Sequence, residues 1–379
     1  MIGSRQSYRV AVIEWNPGDG ITRMIRHELE ALGHEVTTFG KEDPVPAGQD
    51  VVFTFGPYGK VIPLWEKSRR VKGNPATIHW NTEGIPDLRI PAVLVRQLAA
   101  LRSLVGRVAD SENRLFRLTL GSPRLPKLDH RMARFRYVGD YYYAYRKGLL
   151  DLLADSSMIY ADIHRKAGIP VLYLPWGGSL VSSKDLGMER DIDVLWMGKR
   201  GSGRRSRLLD RVRAELKALG VEIYVADGEE NPFIFGETRT EYLNRAKVTL
   251  NLTRTWYDDN FSRFSMAAPN RSLIVSEPVL PHCVEFQPGV HYVSAPIEKL
   301  AETILYYLKH EDERRTIVEN AYRLVTHELA FKHSIKRAMD EFERMRNARV
   351  SSQVKESGLA EPKRALTSTP TQFSEPRIR

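Results

Sequence analysis

The 379-residue chain has a single cysteine, Cys283. One thiol excludes an internal disulfide framework and a cysteine-based zinc cluster, and it fits a reducing compartment. No run approaches the ~18 consecutive apolar residues of a membrane-spanning helix. The opening MIGSRQSYRV lacks the apolar core of a secretory signal. A cytoplasmic location is therefore expected. The chain also lacks a Gly-X-Y period, which excludes collagen, and a Gly-x-Ser-x-Gly nucleophile elbow. It has no His/Cys/Asp spacing suited to a structural metal, and no zinc-finger, helix-turn-helix or RRM signature. With 42% apolar and 27% charged residues it is not a mainly disordered chain.

What is abundant is positive charge. Lys and Arg number 57 against 47 Asp and Glu. The excess concentrates in residues 89–147, where 13 basic residues face 4 acidic ones. Such a patch attracts nucleic acid, an anionic membrane or an acidic substrate, or else is a solvated helical face.

Hydrophobic patterning divides the chain into two alternating halves. In the first, strands are expected at Tyr8–Trp15, His34–Phe39, Val51–Phe55 and Ala76–Trp80. A glycine-rich turn, Asn16–Gly20, precedes a helix over Ile21–Leu32 that Gly33 ends. Helices are expected at Ile90–Leu104 and Met132–Leu153, and short strands at Met158–Tyr160 and Val171–Leu174. The pattern restarts at Ile192–Met197 (IDVLWM), followed by a basic loop (GKRGSGRR) and a helix over Ser206–Leu219. Strands then follow at Val221–Val225, Val248–Leu252, Leu273–Ser276 and His291–Val293, with helices at Thr240–Ala246, Ile297–Lys309, Glu311–Thr326 and Ala330–Asn347. The expected organisation is a Rossmann-like domain over 1–176, a linker over 177–190 and a second Rossmann-like domain over 191–329. A helix over 330–348 would cross back to the first domain, and 349–379 would form a disordered tail. Two doubly wound α/β domains facing each other place a ligand in the cleft between them, at the carboxyl ends of their strands.

The second half resembles the GT-B glycosyltransferases, most closely the CgeB-like group with its "glycosyltransferase family 1" C-terminal domain. The resemblance is carried by the strand-and-loop IDVLWMGKRGSGRR, by YLNRAKVTLNLTR (242–254), RFSMAAPNRSLIVSE (263–277) and EFQPGVHYV (285–293), and by the helical ending 300–328. It implies a metal-independent transfer of sugar from a nucleotide-diphosphate sugar, a UDP- or GDP-sugar, with no bound cofactor. The second domain would take the donor. The first would take an acceptor glycan, lipid or protein, and its basic charge makes a peripheral contact on an anionic membrane an expectation. The family's donor-ribose glutamate falls on Met266, or on Ser265 if the alignment slips by one. The family glycine falls on Arg271, and the closing aspartate on Glu277. Loss of the glutamate leaves open a non-catalytic binding protein of the same fold. Nucleic-acid binding through residues 89–147 is a further alternative.

Stabilising a leaving diphosphate calls for cations and helix N-termini. Gly198, Lys199, Arg200 and Arg204, in the loop that leads into a helix, fit that need, although the same run is also a plausible solvated helix start. Arg254, at a strand end, and Arg263 join them. Asn260 and Ser262 are helix caps or ligand contacts, and Glu277 is a donor-hydroxyl partner or a surface residue. On the acceptor side, Gly18, Asp19 and Gly20 form either a ligand-approach loop or an ordinary turn. His79 and Glu83, expected just past the fourth strand, are the candidate catalytic acid and base. The aromatic run YYYAYR (141–146) is read as core packing in preference to a sugar-stacking platform.

Overall fold

A computed structural model describes residues 6–56, 61–110, 126–179, 181, 183–201, 203–259 and 261–358. Residues up to Met339 form one compact unit, and Asp340–Arg379 a second. Two all-parallel sheets organise the first unit.

The first sheet runs β2-β1-β3-β4-β5-β6, with β1 Arg9–Glu14, β2 Glu35–Gly40, β3 Val51–Gly56, β4 Ala76–Asn81, β5 Leu152–Asp155 and β6 Val171–Tyr173. The second runs β11-β10-β9-β7-β8, with β7 Ile192–Met197, β8 Ile223–Ala226, β9 Ala246–Asn251, β10 Leu273–Ser276 and β11 Val293–Ser294. Parallel strands are covered on both faces, so they read as continuous apolar runs. Val51 to Gly56 are all buried, as are Leu273 to Ser276. Helices clothe the second sheet through Leu209, Val212 and Leu216 on one segment and Leu300 and Ile304 on another.

Several expectations need correction. The helix expected over Met132–Leu153 spans Pro126–Arg146 and stops before Gly148 (φ 65°), and the chain re-enters the sheet as β5. Met158–Tyr160 is not a strand. It opens a helix over Met158–Lys166, because Ser157 caps it by accepting from the Tyr160 amide. A helix over Val61–Arg70 was not anticipated. The last helix continues to Gly358, through residues expected to be unstructured, and 359–379 lie outside the described residues. At the first turn of that helix Phe331 stacks on Trp80 of β4, with ring centroids 5.2 Å apart.

In each sheet the strand order reverses beside the first strand. In the second sheet β7 has β8 on one side and β9 on the other. The crevice outside the carboxyl ends of such a pair is where doubly wound sheets take their ligands. The described residues that leave β7 and β9 there are 198–201 with 203–205, and 252–258.

Candidate functional site

Four arginines converge at that reversal point. Arg204, in the first turn of the helix Gly203–Ala218, donates to the carbonyl and the hydroxyl of Thr253, each at 3.0 Å. It also forks onto both carboxylate oxygens of Glu277. Glu277, buried at the end of β10, accepts as well from the Thr253 amide at 2.6 Å. The fork ties the tips of β9 and β10 to the helix start. Arg205 is buried, with Nε on the Arg200 carbonyl at 2.9 Å and its guanidinium 5.8 Å from the Trp196 ring centroid. Arg263 lies 5.9 Å from the same ring and donates to the Leu252 carbonyl at 3.0 Å. An added Cβ at Gly198 would stand 3.2 Å from the Arg263 guanidinium, so this glycine (φ 116°) admits the arginine beside the loop.

These cations crowd one another. Burial, then Arg205 and Arg254, push Arg263 down to about 9; burial and Arg254 push Arg205 down to about 10. Guanidinium keeps its proton at neutral pH, so the displacement registers as an electrostatic cost of holding these arginines together. The central counter-charge is Asp258. Burial alone would raise its pKa, but Arg134 and Arg254 outweigh that and hold the carboxyl below its ordinary value. It receives the Arg254 amide and Nε at 3.1 Å each, and Arg134 at 2.5 Å from across the sequence. A buried cluster with more guanidinium than carboxylate, at a helix N-terminus, suits a multiply charged anion.

From the first sheet, Glu83 reaches this cluster, its carboxylate 3.6 Å from Arg254. The Glu83 loop rests on Asn81 at the end of β4. The Asn81 side chain accepts from the Glu83 amide and from Tyr141 Oη, and donates to the Glu83 carbonyl and to Asp155. Beneath it lies His79. It was expected past the strand end but sits within β4, fully buried against Thr54 Oγ1 (2.9 Å), the Gly56 carbonyl and Tyr141 Oη (both 3.2 Å). Burial pushes its pKa down to about 3. A neutral, enclosed imidazole does not exchange protons with substrate, so His79 supports the Glu83 loop through Tyr141 and Asn81. His79 is therefore a buried support of the Glu83 loop and not the catalytic acid or base expected of it. Further contacts join the two sheets' flanking segments: Tyr160 Oη donates to the Tyr257 carbonyl at 2.6 Å, and Ser157 Oγ lies 2.7 Å from His282 Nδ1.

Other sequence candidates fall elsewhere. Arg200 is enclosed by Asp227, Asp210 and Glu230 at 2.6–2.7 Å, so its charge is already matched by carboxylates and it is no phosphate ligand. Ser265 is buried and donates to the Trp176 carbonyl, which removes it from donor binding. Lys199 and Ser262 are exposed, and Asn260 lies outside the described residues. Asp19 caps the helix Gly20–Ala31 by accepting from the Ile21 amide at 2.8 Å, and Gly18 donates to Glu14. Gly18–Gly20 is thus an ordinary strand-to-helix turn. Arg271 keeps the left-handed backbone (φ 54°) that suits the glycine of the resembling family, and Asp185, Glu319 and the Tyr322 ring hold its side chain. Arg205 stands in the same basic loop as the phosphate candidates, Asp258 falls where related transferases carry an acid, and Tyr141 lies in the aromatic run read as core packing. Arg134 was not singled out, and its only sequence signal was the basic excess of residues 89–147. Among the described residues no group of three or more His, Cys, Asp or Glu is placed to hold a metal, and no helix is long and apolar enough to cross a membrane.

The buried imidazoles predict acid sensitivity. His79 and His164, pushed down to about 3 and 4 by burial, stay neutral in the folded chain, while the unfolded chain protonates them near 6.5. The unfolded state then binds more protons, so the stability they contribute above pH 6.5 is lost as pH falls toward 4. Asp155, whose carboxyl burial pushes up, acts with the opposite sign. His164→Leu removes an imidazole whose ring nitrogens have no hydrogen-bond partner among the described residues, although Nε2 lies 4.0 Å from Asp155. Urea titrations of the variant should show a smaller stability loss between pH 6.5 and 4 than the parent, and equal losses would refute the assignment.

Residues 204–340 match the family model described as glycosyl transferase-like. No curated protein matches the chain. Among solved structures, sucrose-phosphate synthase from Thermosynechococcus elongatus aligns over 90% of this chain and 100% of its own, with TM-score 0.53 and 12% identity. HepE of Anabaena in complex with UDP-glucose aligns over 89% and 100%, with TM-score 0.53 and 9% identity. TarM of S. aureus aligns over 77% of this chain but only 54% of its own, with TM-score 0.50 and 10% identity. The chain therefore has the two-sheet α/β fold of the GT-B glycosyltransferases, and its segment 204–340 is glycosyl transferase-like in sequence.

Proposed function

We propose that this protein transfers a sugar from a nucleoside-diphosphate sugar to an acceptor hydroxyl. The observation that carries the reading is the crowding of Arg205, Arg254 and Arg263 at the β7–β9 reversal, beside the helix start that Arg204 anchors. In the reaction the bond from the anomeric carbon to the diphosphate oxygen breaks, the acceptor oxygen bonds to that carbon, and the acceptor loses its proton. The arginines and the helix N-terminus would neutralise the departing diphosphate, with no metal required. Glu83, whose carboxylate lies 3.6 Å from Arg254, would take the proton. Lys199 at the loop tip would meet the outer phosphate. HepE, solved with UDP-glucose, supports a uridine donor, with a GDP-sugar as the alternative. The acceptor is a glycan, lipid or protein hydroxyl.

A second reading is a binding protein that keeps the donor site without turnover. It is favoured by Met266, half-buried where the resembling family has a glutamate. Thermal-shift titrations with UDP, GDP and their sugars, paired with an assay for release of the nucleotide, test both. Under the transferase reading a nucleoside diphosphate raises the melting temperature as mass action requires, and its sugar is slowly hydrolysed. Stabilisation without hydrolysis or transfer favours the second reading. No response to any nucleotide removes both.

A further inference from the structure

The helix Ala92–Asp110 is inverted relative to an ordinary surface helix. Its inner face, against the helix Pro126–Arg146, consists of small residues. Ala99 and Ser103 are buried, and an added Cβ at Gly139 would fall 2.0 Å from the Ala99 carbonyl oxygen. Its large apolar side chains point outward instead: Val93 is 67% exposed, Leu94 44%, Leu101 56% and Leu104 51%. They share the outer surface with Gln97 and Ala100, both exposed. No acidic residue occurs between Asp87 and Asp110, while Arg89, Arg96, Arg102 and Arg107 do. Four large apolar chains on one exposed face, set in a basic segment, form a contiguous patch of the kind that marks an interaction surface.

We infer that this face docks on an anionic lipid bilayer, with the valine and leucines entering the interface and the exposed Arg89 and Arg96 meeting the headgroups. Charge selects the occupant. Between Asp87 and Asp110 the segment carries four arginines and no carboxylate, so a second copy would set like charges against each other, whereas an anionic membrane attracts both features of the face at once. The docking does not depend on the transferase reading, but it bears on it. Arg89, three residues before the helix, lies 5.6 Å from the ring of the partly exposed Trp256, which is two residues past Arg254. The docked helix therefore begins at the rim of the arginine cluster and brings that rim to the lipid surface.

The test is co-sedimentation of the full chain with phosphatidylcholine vesicles and with mixed phosphatidylcholine–phosphatidylglycerol vesicles. The protein should pellet with the mixed vesicles, less so at high salt, and not with phosphatidylcholine alone. The double variant Leu101→Glu, Leu104→Glu should bind at least about tenfold more weakly while keeping the parent's nucleotide-induced thermal shift. If that variant is insoluble, Val93→Ser with Leu101→Ser serves in its place. The inference is overturned if the parent ignores anionic vesicles or if the variants bind as well as the parent. It is also overturned if sedimentation velocity shows a parent dimer that the same substitutions dissolve. A nucleotide response lost only in the proposed donor-site variants leaves this result untouched.

Discussion

Replacing Gly177 by alanine should destabilise the folded chain by about 3 kcal/mol or more and shift its denaturation midpoint accordingly. At this position the chain leaves the first sheet and passes directly against its return crossing. An added Cβ would stand 1.4 Å from the Leu329 carbonyl oxygen and 2.7 Å from the Phe331 amide nitrogen. Both are backbone atoms, so no rotamer change relieves the clash. The crossings cannot separate cheaply either. The Gly178 amide donates to the Val325 carbonyl at 3.1 Å, the Phe331 amide to the Gly178 carbonyl at 3.0 Å, and Ser334 Oγ to the Pro175 carbonyl at 2.7 Å. Gly20→Ala is the control. It has open space, ordinary backbone geometry and a helical setting, so it should gain about 0.5–1 kcal/mol. Guanidinium denaturation of the three proteins decides the matter, and a Gly177→Ala midpoint equal to the parent's would contradict the packing described here.

The second large effect concerns Arg263. Arg263→Met should weaken nucleoside diphosphate binding by about 10–100-fold, the equivalent of one lost charge-assisted phosphate bond. Its effect on the empty protein should be within about 1 kcal/mol, because two contributions oppose each other. Relief of repulsion from Arg205 and Arg254 stabilises, and loss of the bonds to the Leu252 carbonyl and Asn251 destabilises. Arg204→Ala contrasts with it. It would strand the buried carboxylate of Glu277 and cost about 3 kcal/mol before any ligand is added. Calorimetric titration with UDP and GDP, alongside denaturation of the empty proteins, separates a binding defect from a folding defect. Undiminished affinity in Arg263→Met would remove this residue from the donor site.

The distribution of correct and incorrect expectations follows from which interactions are local. Leu273–Ser276 was legible to the residue because a strand covered on both faces is an uninterrupted apolar run between turn residues. The segment 152–160 was misread because a four-residue strand and a nine-residue helix adjoin. There the capping bond of Ser157, not periodicity, decides the boundary. At the site, Arg204, Arg254, Arg263 and Glu83 were legible as charged residues at strand and helix ends. The partnership of Arg134 with Asp258 was not, since 124 residues separate them and only the apposition of the two sheets joins them. His79 shows the converse. A histidine near a strand end carries the same local signal whether it faces solvent or, as here, is sealed beneath Tyr141 and Trp65.

The paired crossings near Gly177 have an optical consequence. Trp176 sits on one crossing and Phe331 on the other, and both rings pack on Trp80 of the first sheet, with the two indole centroids 5.0 Å apart. Indoles this close couple their electronic transitions. The native chain thus carries an intrinsic near-ultraviolet dichroism signal from the point where both crossings meet the first sheet, and it needs no attached label.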